Sequence, residues 1–189
     1  TAMNGNWVEA PGEALFRVLG QKLGKLPVLA EDLGVITPEV EALRDEFEFP
    51  GMKILQFAFG SDPGNPYLPF NYSRNCVVYT GTHDNDTTIG WFNQASDYEK
   101  QKVWLYLGCI TNDGIQWDMI RLALSTVANQ AILPLQDVLG LGTEARMNVP
   151  SKADGNWGWR YQPDALKEEL GLRLKTLTES FGRAPQVRG

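Results

Sequence analysis

The sequence predicts an α/β fold with mostly parallel strands, and three observations carry that reading. Short apolar runs alternate with helical patterns, each run is bounded by Gly, Pro or Asn, and two of the runs end in carboxylates. Strands buried on both faces read as nearly continuous apolar segments, as these do. In parallel α/β folds, functional side chains gather where strands end. Gly81-Thr82-His83-Asp84-Asn85-Asp86 stands at such an end, directly after Cys76-Val77-Val78-Tyr79, and contains the single histidine of 189 residues.

Taken in order, Pro11-Gly12-Glu13 opens a helix with Ala14, Leu15, Val18 and Leu19 on its apolar side. Strands are expected at 28–31, 52–59, 76–82 and 131–138. Thr37-Pro38-Glu39 supplies an N-cap, a proline at the first helical position and an early acid, opening a helix that ends near Phe47. Ser96-Asp97-Tyr98-Glu99 is a capping box for a helix through Leu107. Ile120, Leu124 and Val127 share a helical face within 115–129. A last helix carries Leu166, Leu170, Leu174, Leu177 and Phe181 at helical spacing. Two long loops remain, 60–72 and 140–161, and loops of that length inside a domain tend to be functional.

Four parallel strands cannot close a barrel, which takes eight strands and about 250 residues. Standing alone they would leave two open sheet edges. The chain is therefore either a small open α/β domain or the back half of something larger. It starts at Thr1 rather than Met, as a chain beginning mid-protein would.

A formal net charge of −6 argues against a nucleic-acid surface. No apolar run approaches a membrane span, and no charged-then-apolar leader opens the chain. Cys76 and Cys109 both sit among apolar neighbours and read as a pair of small buried thiols, with a disulfide or a metal site as the alternatives. That usage fits a reducing compartment.

Two places could carry chemistry. Leu26-Pro27-Val28-Leu29-Ala30 runs into Glu31-Asp32, with Leu29 and Glu31 on one face and Ala30 and Asp32 on the other. A carboxyl at the mouth of an apolar strand is partly desolvated, which suits a general acid. The alternative is a solvated Glu-Asp pair in a loop. His83 and Asp84 could be a base for a nucleophile, a metal pair, a clamp on substrate hydroxyls, or a polar turn closing a strand. A metal site is thin with one histidine, and no Gly-x-Ser-x-Gly elbow supports a triad. Asp86 reads as structural, capping the Thr87-Thr88 turn. Tyr67, Phe70, Tyr72, Trp91, Trp157 and Trp159 lie in or beside the loops, and rings with an apolar face and a polar edge suit sugars. Buried loop anchors would look the same.

Several blocks, in order, resemble the 4-α-glucanotransferases (amylomaltase, or disproportionating enzyme). They are Thr1-Ala2-Met3-Asn4-Gly5-Asn6-Trp7-Val8 with Pro11-Gly12, Ala30-Glu31-Asp32-Leu33-Gly34, and Pro50-Gly51-Met52-Lys53-Ile54-Leu55-Gln56-Phe57. Asn65-Pro66-Tyr67-Leu68-Pro69, Thr80-Gly81-Thr82-His83-Asp84-Asn85-Asp86-Thr87 and Gly142-Thr143-Glu144-Ala145-Arg146-Met147-Asn148 complete the set. The resemblance implies the C-terminal half of a (β/α)8 TIM barrel of the α-amylase superfamily, so that residues 1–189 form one partial catalytic domain. It implies retaining transfer of α-1,4-glucan segments between malto-oligosaccharides or to glucose. Glu31 is then the general acid/base, Asp84 the transition-state stabiliser, and His83 a clamp on sugar hydroxyls. Asn148, from the last block, joins Tyr67 and Trp157 as further sugar-binding residues.

The family's nucleophile is an aspartate in an Arg-x-Asp motif, and no Arg-x-Asp occurs in these 189 residues. The missing N-terminal half of the barrel is the expected partner, and the isolated chain is expected to be inactive. Phe70 stands where many relatives carry histidine. No metal or organic cofactor is called for, because two carboxylates and a stabilising acid suffice. The expected compartment is a cytoplasm or a plastid. A sugar-binding module without turnover and a glycoside hydrolase of the same superfamily are the alternative functions.

Overall fold

The structure, a computed structural model, describes residues 4–6 and 8–185. Thr1, Ala2, Met3 and Trp7 of the first family block lie outside the described residues. The chain forms two compact units, Thr1–Met52 and Lys53–Gly189.

The first unit carries helices α1 (Gly12–Leu23) and α2 (Pro38–Glu46). Phe16 of α1 packs on Phe47 and Phe49, with ring centroids 5.3 and 4.9 Å away. This cluster turns the helix so that Leu15 and Val18 are 56% and 53% exposed, against the expectation that they face inward. Thr37 occupies the N-cap position of α2 in extended conformation, but its side chain makes no capping hydrogen bond. Pro38 starts the helix instead, its fixed φ already helical. The segment 28–31 is not a paired strand among the described residues. Its alternating exposure is that of extended backbone, yet Ala30 alone bonds sideways, its N–H donating to the Pro50 carbonyl at 2.9 Å.

Strand β1 (Gly51–Ile54) straddles the division between the units. It is shorter than the expected 52–59 because the chain tightens into a 3-10 turn at Leu55–Phe57. In the three-stranded sheet the order is β1-β2-β3, with β2 at Cys76–Tyr79 and β3 at Gln130–Ile132. β2 and β3 are parallel, Val77 opposite Gln130, Val78 opposite Ala131 and Tyr79 opposite Ile132. The expected strand 131–138 divides at Pro134, which has no N–H for a ladder, and Leu135–Leu139 becomes a short helix.

The second unit adds α3 (Thr88–Gln94), α4 (Asp97–Leu107) and α5 (Ile115–Ser125), then α6 (Leu135–Leu139) and α7 (Glu168–Ser180). The capping box of α4 is present: the Glu99 N–H donates to the Ser96 hydroxyl, and the Ser96 N–H donates to the Glu99 carboxylate at 3.0 Å. α5 serves two cores. Met119 and Ala123 join Leu55, Phe59, Val78 and Val103 in one. Trp117, Ile120 and Leu124 join Val138 and Leu177 in the other. Burying a side chain such as Ile120 stabilises the unit by roughly 1.5–3 kcal/mol. Val127 falls beyond α5 and is 45% exposed, and Leu166 and Phe181 flank α7 rather than filling its inward face. Cys76 is buried as expected, its thiol donating to the Ser73 carbonyl at 3.1 Å, whereas Cys109, one residue past the C-cap of α4, is exposed. No helix among the described residues is long and apolar enough to cross a membrane.

Candidate active site

In the first unit the Glu31 segment is held by its neighbour. The Asp32 carboxylate accepts from the Met52 N–H at 2.7 Å and from Arg44 at 2.5 Å, with its side chain only 7% exposed. Gly51 makes the approach feasible, because a Cβ there would land on the Asp32 carboxylate. Asp32 thereby ties the loop to α2 and to the start of β1. Glu31, next to it, points the opposite way and is exposed. The desolvation expected at Glu31 is not found in the structure: alternation turns Asp32, not Glu31, into the protected pocket.

The second unit assembles a tighter cluster after β2. Thr80 is fully buried, and Gly81 follows where a side chain would collide with the Gln56 amide. The Thr82 N–H and hydroxyl both donate to the Asn85 side chain at 2.8 Å, folding residues 82–85 into a turn. That turn presents His83 and Asp84 at the strand's end. His83 Nε2 lies 3.4 Å from Asp84 Oδ1, with the side chains 56% and 49% exposed.

The loop 140–161 closes on these two residues. The Asn148 amide donates to Asp84 Oδ1 at 2.5 Å, and the Asn148 N–H donates to the His83 carbonyl at 3.1 Å. Arg146 bridges both loops, its Nη2 donating to the Asp84 carbonyl at 2.6 Å and its Nε to the Asn148 carbonyl at 2.9 Å. The Trp157 ring sits 5.0 Å from the His83 ring. Trp157 itself has a left-handed backbone, φ 62°, fixed by its N–H donating to the Met147 carbonyl at 2.8 Å. His83, Asp84, Asn148 and Trp157 therefore come together in one place. Tyr67 belongs to a different network: its ring meets Phe57 edge-on at 5.4 Å, and it packs on the core.

Sequence reasoning passed over two supporting residues. Arg146 stands in the last family block, two positions before Asn148, but nothing in the sequence assigned it a role. Asp137 fell within an expected strand, whereas it is a buried carboxylate on α6, 1% exposed. It accepts from the Thr80 hydroxyl at 2.5 Å, from the Thr88 N–H at 2.7 Å and from the Thr88 hydroxyl at 2.8 Å. Burial pushes its carboxyl above the ordinary range, while the hydrogen bonds from Thr80 and Thr88 oppose that shift. Asp137 so fastens the end of β2 to the start of α3, on either side of the His83-Asp84 turn. Asp86 is structural, as the sequence suggests. It accepts from the Thr87 N–H and, across the loop, from the Thr143 hydroxyl, both at 2.8 Å; the helix cap proper is Thr87.

The arrangement offers a half-exposed carboxylate with one oxygen pinned by an amide, a neighbouring imidazole that can donate to hydroxyls, and an aromatic ring alongside. That set can hold a polyhydroxylated ring and stabilise positive charge developing on it. No group of three or more His, Cys, Asp or Glu side chains among the described residues is placed to hold a metal ion.

Comparison with known proteins gives one family. The family model described as 4-alpha-glucanotransferase (glycoside hydrolase 77) matches residues 1–167. The chain is 64% identical to a 4-alpha-glucanotransferase of Synechocystis sp. over 97% of its length, covering 37% of that protein. It is 52% identical to one of Thermus thermophilus, again over 97% of its length and covering 38% of that protein. Among solved structures, the amylomaltase of Streptococcus agalactiae in complex with acarbose superposes with a TM-score of 0.93 at 38% identity, over 98% of this chain and 38% of that one. The chain thus spans little more than a third of the length of these relatives. By this match the chain belongs to the 4-alpha-glucanotransferase family, glycoside hydrolase 77.

Proposed function

We propose that this chain supplies the C-terminal half of a (β/α)8 barrel that carries out retaining 4-α-glucanotransfer on malto-oligosaccharides and starch-derived glucans. The observation that carries the reading is the Asp84 carboxylate, held by Asn148 beside His83 at the C-terminal end of β2. In the first half of the reaction Glu31 protonates the departing glycosidic oxygen while an aspartate supplied from outside these 189 residues attacks the anomeric carbon. The bond to the leaving sugar breaks, and a glycosyl ester forms. Asp84 faces the positive charge that builds on the ring, and His83, Asn148 and Trp157 hold the sugar. Glu31 then removes the proton from an acceptor sugar hydroxyl, which displaces the aspartate and restores the α-linkage. The exposure of Glu31 in this chain fits a residue whose desolvation is completed by the rest of the barrel. A bacterial cytoplasm or a plastid suits the exposed thiol of Cys109.

The test combines this chain with the N-terminal part of the barrel and supplies maltotriose. Glucose and longer maltooligosaccharides should appear, and Asp84→Asn should reduce turnover by at least about a hundredfold. Redistribution of chain lengths by this chain alone, or full activity in Glu31→Gln, would contradict the assignment. Net release of reducing ends without chain lengthening would make the enzyme a hydrolase.

A further inference from the structure

We propose that Trp159 and Tyr161 form a binding track for an α-glucan chain, extending the sugar site away from His83. The choice of ligand rests on the transferase reading; the track itself rests on the following geometry. Aromatic residues recur at 157, 159 and 161, separated by Gly158 and Arg160. The Trp159 and Tyr161 rings lie 6.4 Å apart and are tilted by 35°, two separate facets rather than a closed stack. Neither ring belongs to a hydrophobic core, and Tyr161 is 45% exposed.

Both rings line a cavity of about 410 Å³ between the end of α6 and the start of α7. Its wall also includes Gln162, Lys167 and Glu169, residue types that carry hydrogen-bond donors and acceptors. An apolar face ringed by hydrogen-bonding groups matches a pyranose, which has C–H faces and a hydroxyl rim. The volume is in the range of small-ligand sites.

Arg160 makes the platform stiff. Its Nη1 donates to the Trp157 carbonyl at 2.9 Å and to the Trp159 carbonyl at 2.7 Å. The Trp157 ring lies 5.0 Å from His83, so one fixed stretch of backbone runs from the candidate active site to the second pair of rings. Two ring platforms on one stretch of chain, Trp157 beside His83 and the Trp159–Tyr161 pair beyond it, suit an oligosaccharide that covers both, so the proposed occupant is a glucan chain whose reacting end lies at His83.

Calorimetric titration of this chain with maltoheptaose and with maltose tests the inference. Trp159→Ala and Tyr161→Ala should each weaken maltoheptaose binding about tenfold, the loss expected for removing one stacked ring. Affinity for maltose should stay within about twofold in both variants. Tyr161→Phe keeps the ring and should retain most of the affinity, which separates stacking from misfolding if an alanine variant melts early. Absence of maltoheptaose binding by the unaltered chain, or equal weakening of both sugars in the folded variants, would overturn the track. Glucan binding without turnover in the completed barrel would instead sink the transferase reading and leave the track standing.

Discussion

Replacing Asp137 gives the sharpest test of how the His83-Asp84 turn is supported. Asp137 satisfies two hydroxyls and one N–H, contributed by Thr80 and Thr88, both fully buried. In Asp137→Ala all three groups lose their partner, at roughly 1–3 kcal/mol each. Relief of the carboxylate's own burial and entry of a water reduce the sum, leaving a loss of about 3–5 kcal/mol. In Asp137→Asn the side-chain oxygen still accepts from the Thr88 N–H, and the amide donates to hydroxyls that can rotate. That variant should lose only about 1 kcal/mol.

Urea unfolding followed by circular dichroism measures both losses. If Asn and Ala destabilise equally, the carboxylate acts through its charge and the hydrogen-bond argument fails. The pH dependence is a second readout. The native carboxyl sits above the ordinary aspartate value of 3.8, so the folded state holds a proton that the unfolded chain has released. Stability relative to Asp137→Asn should therefore fall as pH rises from that value through the native pKa. A rise over the same interval would refute the burial account.

Three further outcomes follow from other contacts. Asn148→Ala removes the amide from Asp84 and should lower turnover of the completed barrel about 10- to 100-fold, the worth of a hydrogen bond to a charged group, measured as kcat on maltotriose. Gly90→Ala would ordinarily strengthen a helix by about 1 kcal/mol. Here the added methyl lands on the Asp86 carboxylate and the Thr143 hydroxyl, so a net loss of about 1–3 kcal/mol in the same urea assay is expected. Ser96→Ala breaks the capping box of α4 and should cost about 1 kcal/mol, with faster amide exchange confined to the helix's first turn.

Local chemistry was legible wherever one residue decides the outcome. Ser96 with Glu99 and Pro38 mark helix starts that the structure has, and the blocks around Glu31, His83 and Asn148 point to the family that the comparisons give. Elements decided by distant partners were not legible. α3 contains Gly90 and Asn93, poor helix formers, and owes its first turn to the Thr87 cap and to Asp137, 49 residues from Thr88. Pro134 splits an apolar run whose composition alone reads as one strand. Alternation correctly opposed Glu31 to Asp32, but which of the two faced the protein depended on Arg44 and Gly51. Likewise the gathering of His83, Asp84, Asn148 and Trp157 required Arg146 to reach 62 residues back along the chain.

That reach has a practical meaning for engineering. Because one guanidinium grips the main chain of both the Asp84 turn and the Asn148 segment, the pair behaves as a single cassette. A chimaera that exchanges either piece alone would inherit a mismatched latch, so altered sugar preference should be sought by transplanting both together with their shared arginine.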